Sequence, residues 1–124
     1  MPPVIHIELP ARDLDRAIAF HERVFAVTLE RETVDGLAMA FFPTVGVGAG
    51  AALVMGDTYL PTLDGMRAYF RVHDISATLA RAESAGAVVL YPVTDVGVYG
   101  HVAEFADSEG NRIALQQPRD QGAH

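Results

Sequence analysis

The chain has 124 residues, half of them apolar (50%), which is enough to bury one core without disulfide staples. Nine basic residues, all arginine, stand against sixteen acidic ones for a net charge of −7. That balance repels a phosphate backbone, so nucleic acid is not an expected partner.

No cysteine is present, which rules out a disulfide framework, a thiolate nucleophile and a cysteine metal site. No apolar run approaches the ~18 residues a membrane helix needs, so no membrane association is expected. The opening MPPVIHIELP has neither the basic nor the apolar region of a secretory leader. A cytoplasmic location is the expectation.

In chain order, Val4 to Leu9 alternates and is rich in β-branched residues, predicting a strand that ends at Pro10. Asp13 stands at an N-cap position before a helical stripe of Leu14, Ala17, Ile18, His21 and Phe25. Val27 to Val34 and Leu37 to Phe42 predict a hairpin across Asp35-Gly36. The glycine-rich PTVGVGAG then leads to a strand, Ala51 to Met55. After a polar, proline-containing linker (residues 56–65) the pattern restarts. Met66 to Val72 is a strand, and Asp74 caps a helix carrying Ile75, Leu79 and Ala82 that Gly86 ends. Val88 to Tyr91 is a strand, and Gly100 to Ala106 pairs with Arg112 to Gln117 across the turn DSEGN.

Shifting the first half forward by 61 residues superposes these signals, with Asp13 on Asp74 and Leu14 on Ile75. The chain is therefore expected to be one domain, residues 1–124, built from half-repeats of about 4–55 and 66–117.

The stretch IHIELPARDLDRAIAFHERVF and the ending FADSEGNRIALQQP together resemble the vicinal-oxygen-chelate superfamily of glyoxalases, bleomycin-resistance proteins and extradiol dioxygenases. The resemblance runs from Val4 to Pro118. It implies an α+β fold of two βαβββ modules, whose curved mixed sheets surround a cleft, and a homodimer. It also implies four metal-ligand positions, His6, Leu53, Arg67 and Ala114. Only His6 keeps a ligand side chain, and arginine is a fixed cation that repels a metal. No cofactor is expected on these grounds, although a divalent metal through His6, Glu8 and Glu104 stays open.

Strand alternation puts Glu8 on the face of His6, Tyr69 and Arg71 on that of Arg67, and Arg112 and Gln116 on that of Ala114. Glu104 is expected beside Ala114 across the last hairpin. In the similar fosfomycin-resistance enzymes the position matching Glu104 faces substrate. His6, Glu8 and Glu104 are thus the candidate catalytic residues, forming an acid–base pair. Arg67, Tyr69 and Gln116 are the candidate substrate-binding residues, with Arg67 suited to a carboxylate. Equally, these charged groups simply pair with one another.

The remaining motifs read as structural. His21 lies on the apolar helix stripe and is expected to pack, His73 to be solvated, and His101 to point away from Glu104. GVGAG leads into a strand rather than a helix, so it is expected to be a loop and not a nucleotide cradle.

Three functions remain open. The first is a small-molecule enzyme with an altered or lapsed metal site, acting on a small polar or carboxylate-bearing substrate. The second is a metal-free drug- or metabolite-binding protein, and the third a metal-dependent lyase or dioxygenase.

Overall fold

The computed structural model describes residues 3–44 and 49–119. Residues 45–48 of the glycine-rich stretch, and His124, lie outside them. The first half contains β1 (His6–Pro10), α1 (Leu14–Phe25), β2 (Glu30–Val34), β3 (Leu37–Phe41) and β4 (Gly50–Met55). The second contains β5 (Tyr69–Arg71), α2 (Ile75–Ser84), β6 (Val88–Asp95), β7 (His101–Ala106) and β8 (Arg112–Gln117). Each half forms a four-stranded mixed sheet, in the orders β1-β4-β3-β2 and β5-β8-β7-β6.

Local chemistry accounts for the elements. Asp13 and Asp74 accept from the backbone N–H of Arg16 and Ala77, each at 3.1 Å, so both caps satisfy orphan donors of the first turn. The helix stripe of α1 buries Leu14, Ala17, Ile18, His21 and Val24, a spacing that lines up one face. Asp35 (φ 52°) and Gly36 (φ 78°) both adopt the left-handed conformation that a tight hairpin requires.

Several boundaries differ from expectation. Strand β2 starts at Glu30 rather than Val27, because Leu29 turns into the core while its N–H donates to Glu22 Oε2 at 2.9 Å. Strand β5 is only three residues long. Strand β6 continues to Asp95 through two register shifts and tolerates Pro92 because it is a sheet edge.

One correction concerns facing. Leu53 pairs with Leu9, and both are buried in the core beneath the helices. Glu8 pairs with Ala52 instead, so Ala52 holds the outer-face position expected of Leu53. In the second half Tyr69 pairs with Ala114. The repeat offset is 61 residues at β1/β5 but 62 at β4/β8, and that one-residue slip inverts the facing.

The helix-facing sides of both sheets and both helices share one core, with Leu53, Phe105, Ile113 and Leu115 fully buried. Each such side chain contributes roughly 2 kcal/mol relative to an exposed one. The outer face of the first sheet carries a smaller cluster of Met39, Ala52 and Val54, flanked by Phe41 and Tyr59.

The DSEGN turn joins the halves. Asp107 Oδ1 accepts from the N–H groups of Glu109 (2.9 Å) and Asn111 (2.8 Å). Asn111 Nδ2 donates to the Pro10 carbonyl at 2.7 Å. Glu109, with its carboxylate fully buried, accepts from the N–H groups of Arg12 and Asp13, both at 2.8 Å, and from the Arg16 guanidinium.

Candidate functional site

Strand alternation brings His6 and Glu8 to the outer face of β1, where His6 Nε2 lies 3.1 Å from Glu8 Oε2. The Tyr59 hydroxyl, from the linker between the halves, donates to Glu8 Oε1 at 2.8 Å. That hydrogen bond, then burial and the carboxylate charge, hold the Tyr59 phenol above the usual tyrosine value. His6 also packs against Phe41, with ring centroids 5.9 Å apart. Both His6 and Glu8 remain about one-third exposed (35% and 33%).

In the second half, one row across the outer face reads Tyr69, Ala114, Glu104, Tyr91. Glu104 is buried and clamped by two guanidiniums. Arg112 Nε donates to its Oε1 at 2.6 Å, and Arg67 Nη1 to its Oε2 at 3.3 Å. Such a charge-assisted pair satisfies a carboxylate that would otherwise be costly to bury. Arg67 stays half-exposed, and its remaining N–H groups have no partner among the described residues.

A cavity of about 540 Å3 lies between β1 and residues 62–68, lined by His6, Glu8, Asp64, Met66, Arg67 and Arg112 among others. It gathers three of the residues expected from the sequence, His6, Glu8 and Arg67. Glu104 lies behind the arginines, and it pairs with them rather than with His6. Tyr69, half-exposed, and Gln116, which donates to the Tyr99 carbonyl at 2.9 Å, do not line it.

Sequence reasoning did not single out Tyr59. Its signal was a lone aromatic in a polar linker, with no periodicity to give it a direction. Arg112 was placed on the correct face but not among the binding residues.

The other described histidines lie away from the cavity. His73 is exposed, His101 sits 3.9 Å from Asp95 near the sheet edge, and His21 is buried.

The fold family implies a divalent metal, and the donors here do not fit one. Of the corrected positions His6, Ala52, Arg67 and Ala114, only His6 offers a ligand atom, and both Glu104 oxygens are taken by guanidiniums. Among the described residues no group of three His, Cys, Asp or Glu side chains is placed to hold an ion.

No curated protein matches the chain. Among solved structures, TnmS3, an antibiotic binding protein from Streptomyces sp. CB03234, is 25% identical. It superposes with a TM-score of 0.71 over 96% of this chain and 98% of that one. A glyoxylase/bleomycin resistance protein/dioxygenase domain from Frankia sp. EAN1pec is 21% identical, with a TM-score of 0.73 over 96% and 99% of the two chains. A glyoxalase I mutant from Zea mays, 16% identical, has a TM-score of 0.69 over 91% of this chain but 46% of its own. The last two likenesses carry the fold alone. With residues 4–115 also matching the family profile, two βαβββ halves make this chain a member of the Glyoxalase/Bleomycin resistance protein/Dioxygenase superfamily.

Proposed function

We propose that this protein binds a small organic ligand bearing an anionic group, without a metal, in the cavity between β1 and residues 62–68. The observation that carries the proposal is the pairing state of that cavity. Both candidate catalytic carboxylates are already engaged, Glu8 in the cavity wall by His6 and Tyr59, and Glu104 behind it by Arg67 and Arg112. What stays open is donor capacity on Arg67, which suits a carboxylate or phenolate. A volume of about 540 Å3 falls in the usual range for organic ligands. The antibiotic binding attributed to TnmS3 supports the same class.

A second copy completes this site in the proposal. Exposed apolar side chains stand on the outer side of the second sheet and beside it, among them Tyr69, Tyr91, Val98 and Met66. A patch of that kind favours burial against a partner.

A second reading, an acid–base enzyme, draws on the His6–Glu8 hydrogen bond. With Nε2 turned to Glu8, Nδ1 of His6 is left to exchange a proton with a ligand.

Calorimetric titration with carboxylated aromatic antibiotics, followed by chromatography of the recovered ligand, tests these readings. Binding that weakens in Arg67→Ala, with ligand recovered unchanged, is expected. A chemically altered ligand, with turnover lost in His6→Ala, would replace the binding reading with the enzymatic one. Unchanged affinity in Arg67→Ala would remove the cavity from the account. Sedimentation is expected to report a dimer, and a monomer at high concentration overturns the shared site.

A further inference from the structure

Three charged side chains from neighbouring strands meet on the outer face of the second sheet, at the wall of the His6 cavity. Ile113 and Leu115 turn into the core, so Arg112 points outward from β8. Glu104 on β7 pairs with Ala114, which makes Arg112 its diagonal neighbour on that face. Arg67 approaches from the residues before β5. Ala114, with nothing beyond its Cβ, leaves room above β8 for it to reach Glu104.

Glu104 is buried and gives one oxygen to each guanidinium, which fixes the two arginines relative to one another. Arg112 bonds through Nε, so its Nη1 and Nη2 stay together as a two-donor edge. Arg67 bonds through Nη1, which leaves its edge of Nε and Nη2 intact. Neither edge has a partner among the described residues, and that of Arg112 is open to solvent. Both arginines line the cavity, with Glu104 behind them.

A guanidinium edge of this kind matches a carboxylate, whose two oxygens accept in parallel. Two arginines and one glutamate leave a single net positive charge, and Glu8 and Asp64 also lie in the lining. The local field therefore favours a singly charged group and works against a second negative charge. Val4 and Met66, both exposed, supply apolar surface for the body of the ligand.

On the anion-binding reading of this cavity, we infer that Arg112 is a second ligand donor and that Glu104 is the positioning residue that aims both arginines. The ligand class is then an apolar monocarboxylate.

The probes are 2-naphthoate, its neutral carboxamide and 2-naphthyl phosphate, titrated calorimetrically into the full chain at about pH 8, where the phosphate is doubly charged. Naphthoate is expected to bind at least about tenfold more tightly than either of the others. Arg112→Lys keeps the charge beside Glu104 but loses the forked edge. It should weaken naphthoate about tenfold and leave the carboxamide within about twofold. Glu104→Gln sets two expectations against each other. Neutralising a carboxylate that only repels the ligand would tighten naphthoate. Neutralising one that aims the guanidiniums weakens it, here by about tenfold, with the carboxamide again unchanged. A fold defect weakens both probes alike.

No binding of naphthoate, or an affinity untouched by Arg67→Ala, overturns the cavity reading and this inference together. Weakening in Arg67→Ala, with Arg112→Lys and Glu104→Gln both binding like the parent, overturns the inference alone. So do tighter naphthoate binding in Glu104→Gln, equal losses for carboxylate and carboxamide, and a phosphate that binds as well as naphthoate.

Discussion

His21 and Asp107, 86 residues apart in the chain, meet inside the core with Nε2 2.9 Å from Oδ2 and neither side chain exposed. The contact ties α1 to the turn between β7 and β8. Nδ1 of His21 has no hydrogen-bond partner among the described residues, and the ring lies among Phe20, Phe25 and Phe42. The two partners therefore differ in what they hold. Asp107 also accepts from Glu109 N–H, Asn111 N–H and Asn111 Nδ2, whereas His21 makes this one polar contact.

It follows that Asp107→Ala should cost about 3–5 kcal/mol, because it strips buried donors of their acceptor. His21→Phe keeps the aromatic packing and leaves Asp107 three donors, so its cost should stay under about 2 kcal/mol. Urea denaturation of both variants measures the difference. Equal losses would show that the imidazole matters as much as the turn.

Glu109 is the acid-sensitive point. Burial alone would raise its carboxyl, but hydrogen bonds from Arg16, Asp13, Ser108 and Arg12 outweigh that and bring it down to about 2. A folded-state value below the unfolded one stabilises above the unfolded value of about 4.5, and the contribution disappears as pH falls towards 2. Roughly 3 kcal/mol should therefore be lost across that window. Glu109→Gln should flatten the acid limb of a stability-against-pH curve, and an unchanged slope would assign acid lability elsewhere.

Tyr59 offers a spectroscopic handle on the candidate site. Its phenol is held above the ordinary value chiefly by the bond to Glu8, so one of the four tyrosines should ionise late in an alkaline absorbance titration. Glu8→Gln should bring that tyrosine back toward the others. If the titration curve is the same in both proteins, the Tyr59–Glu8 contact is not formed in solution.

Gly100 holds φ +91°, and a Cβ there would overlap the Gln117 carbonyl oxygen and crowd the Arg119 nitrogen at 2.6 Å. Gly100→Ala thus combines a left-handed backbone with a clash against backbone that cannot rotate away. A loss of at least about 2 kcal/mol is expected by thermal or urea unfolding. A neutral result would mean that the entry to β7 relaxes freely.

Much of the fold was legible in the letters, because local chemistry dictates it. Asp13 and Asp74 announce helix starts through their capping side chains. Asp35-Gly36 announces a hairpin, and period-two apolarity marks the strands. The 61-residue offset of those signals exposes the duplication. Alternation also placed His6 beside Glu8, and Glu104 beside Ala114, since neighbours on a pleated face follow from register.

What the sequence left open was decided through space. The facing of Leu53 and Ala52 turned on a one-residue difference between the halves, which no local preference encodes and which core packing settles. Glu104 is satisfied by arginines 37 residues before it and 8 after it, so its availability is a property of the assembled sheet. Tyr59 and Glu109 act from a linker and a turn, where side-chain direction has no period. Their roles arise only when distant backbone and carboxylate groups are brought within hydrogen-bonding distance.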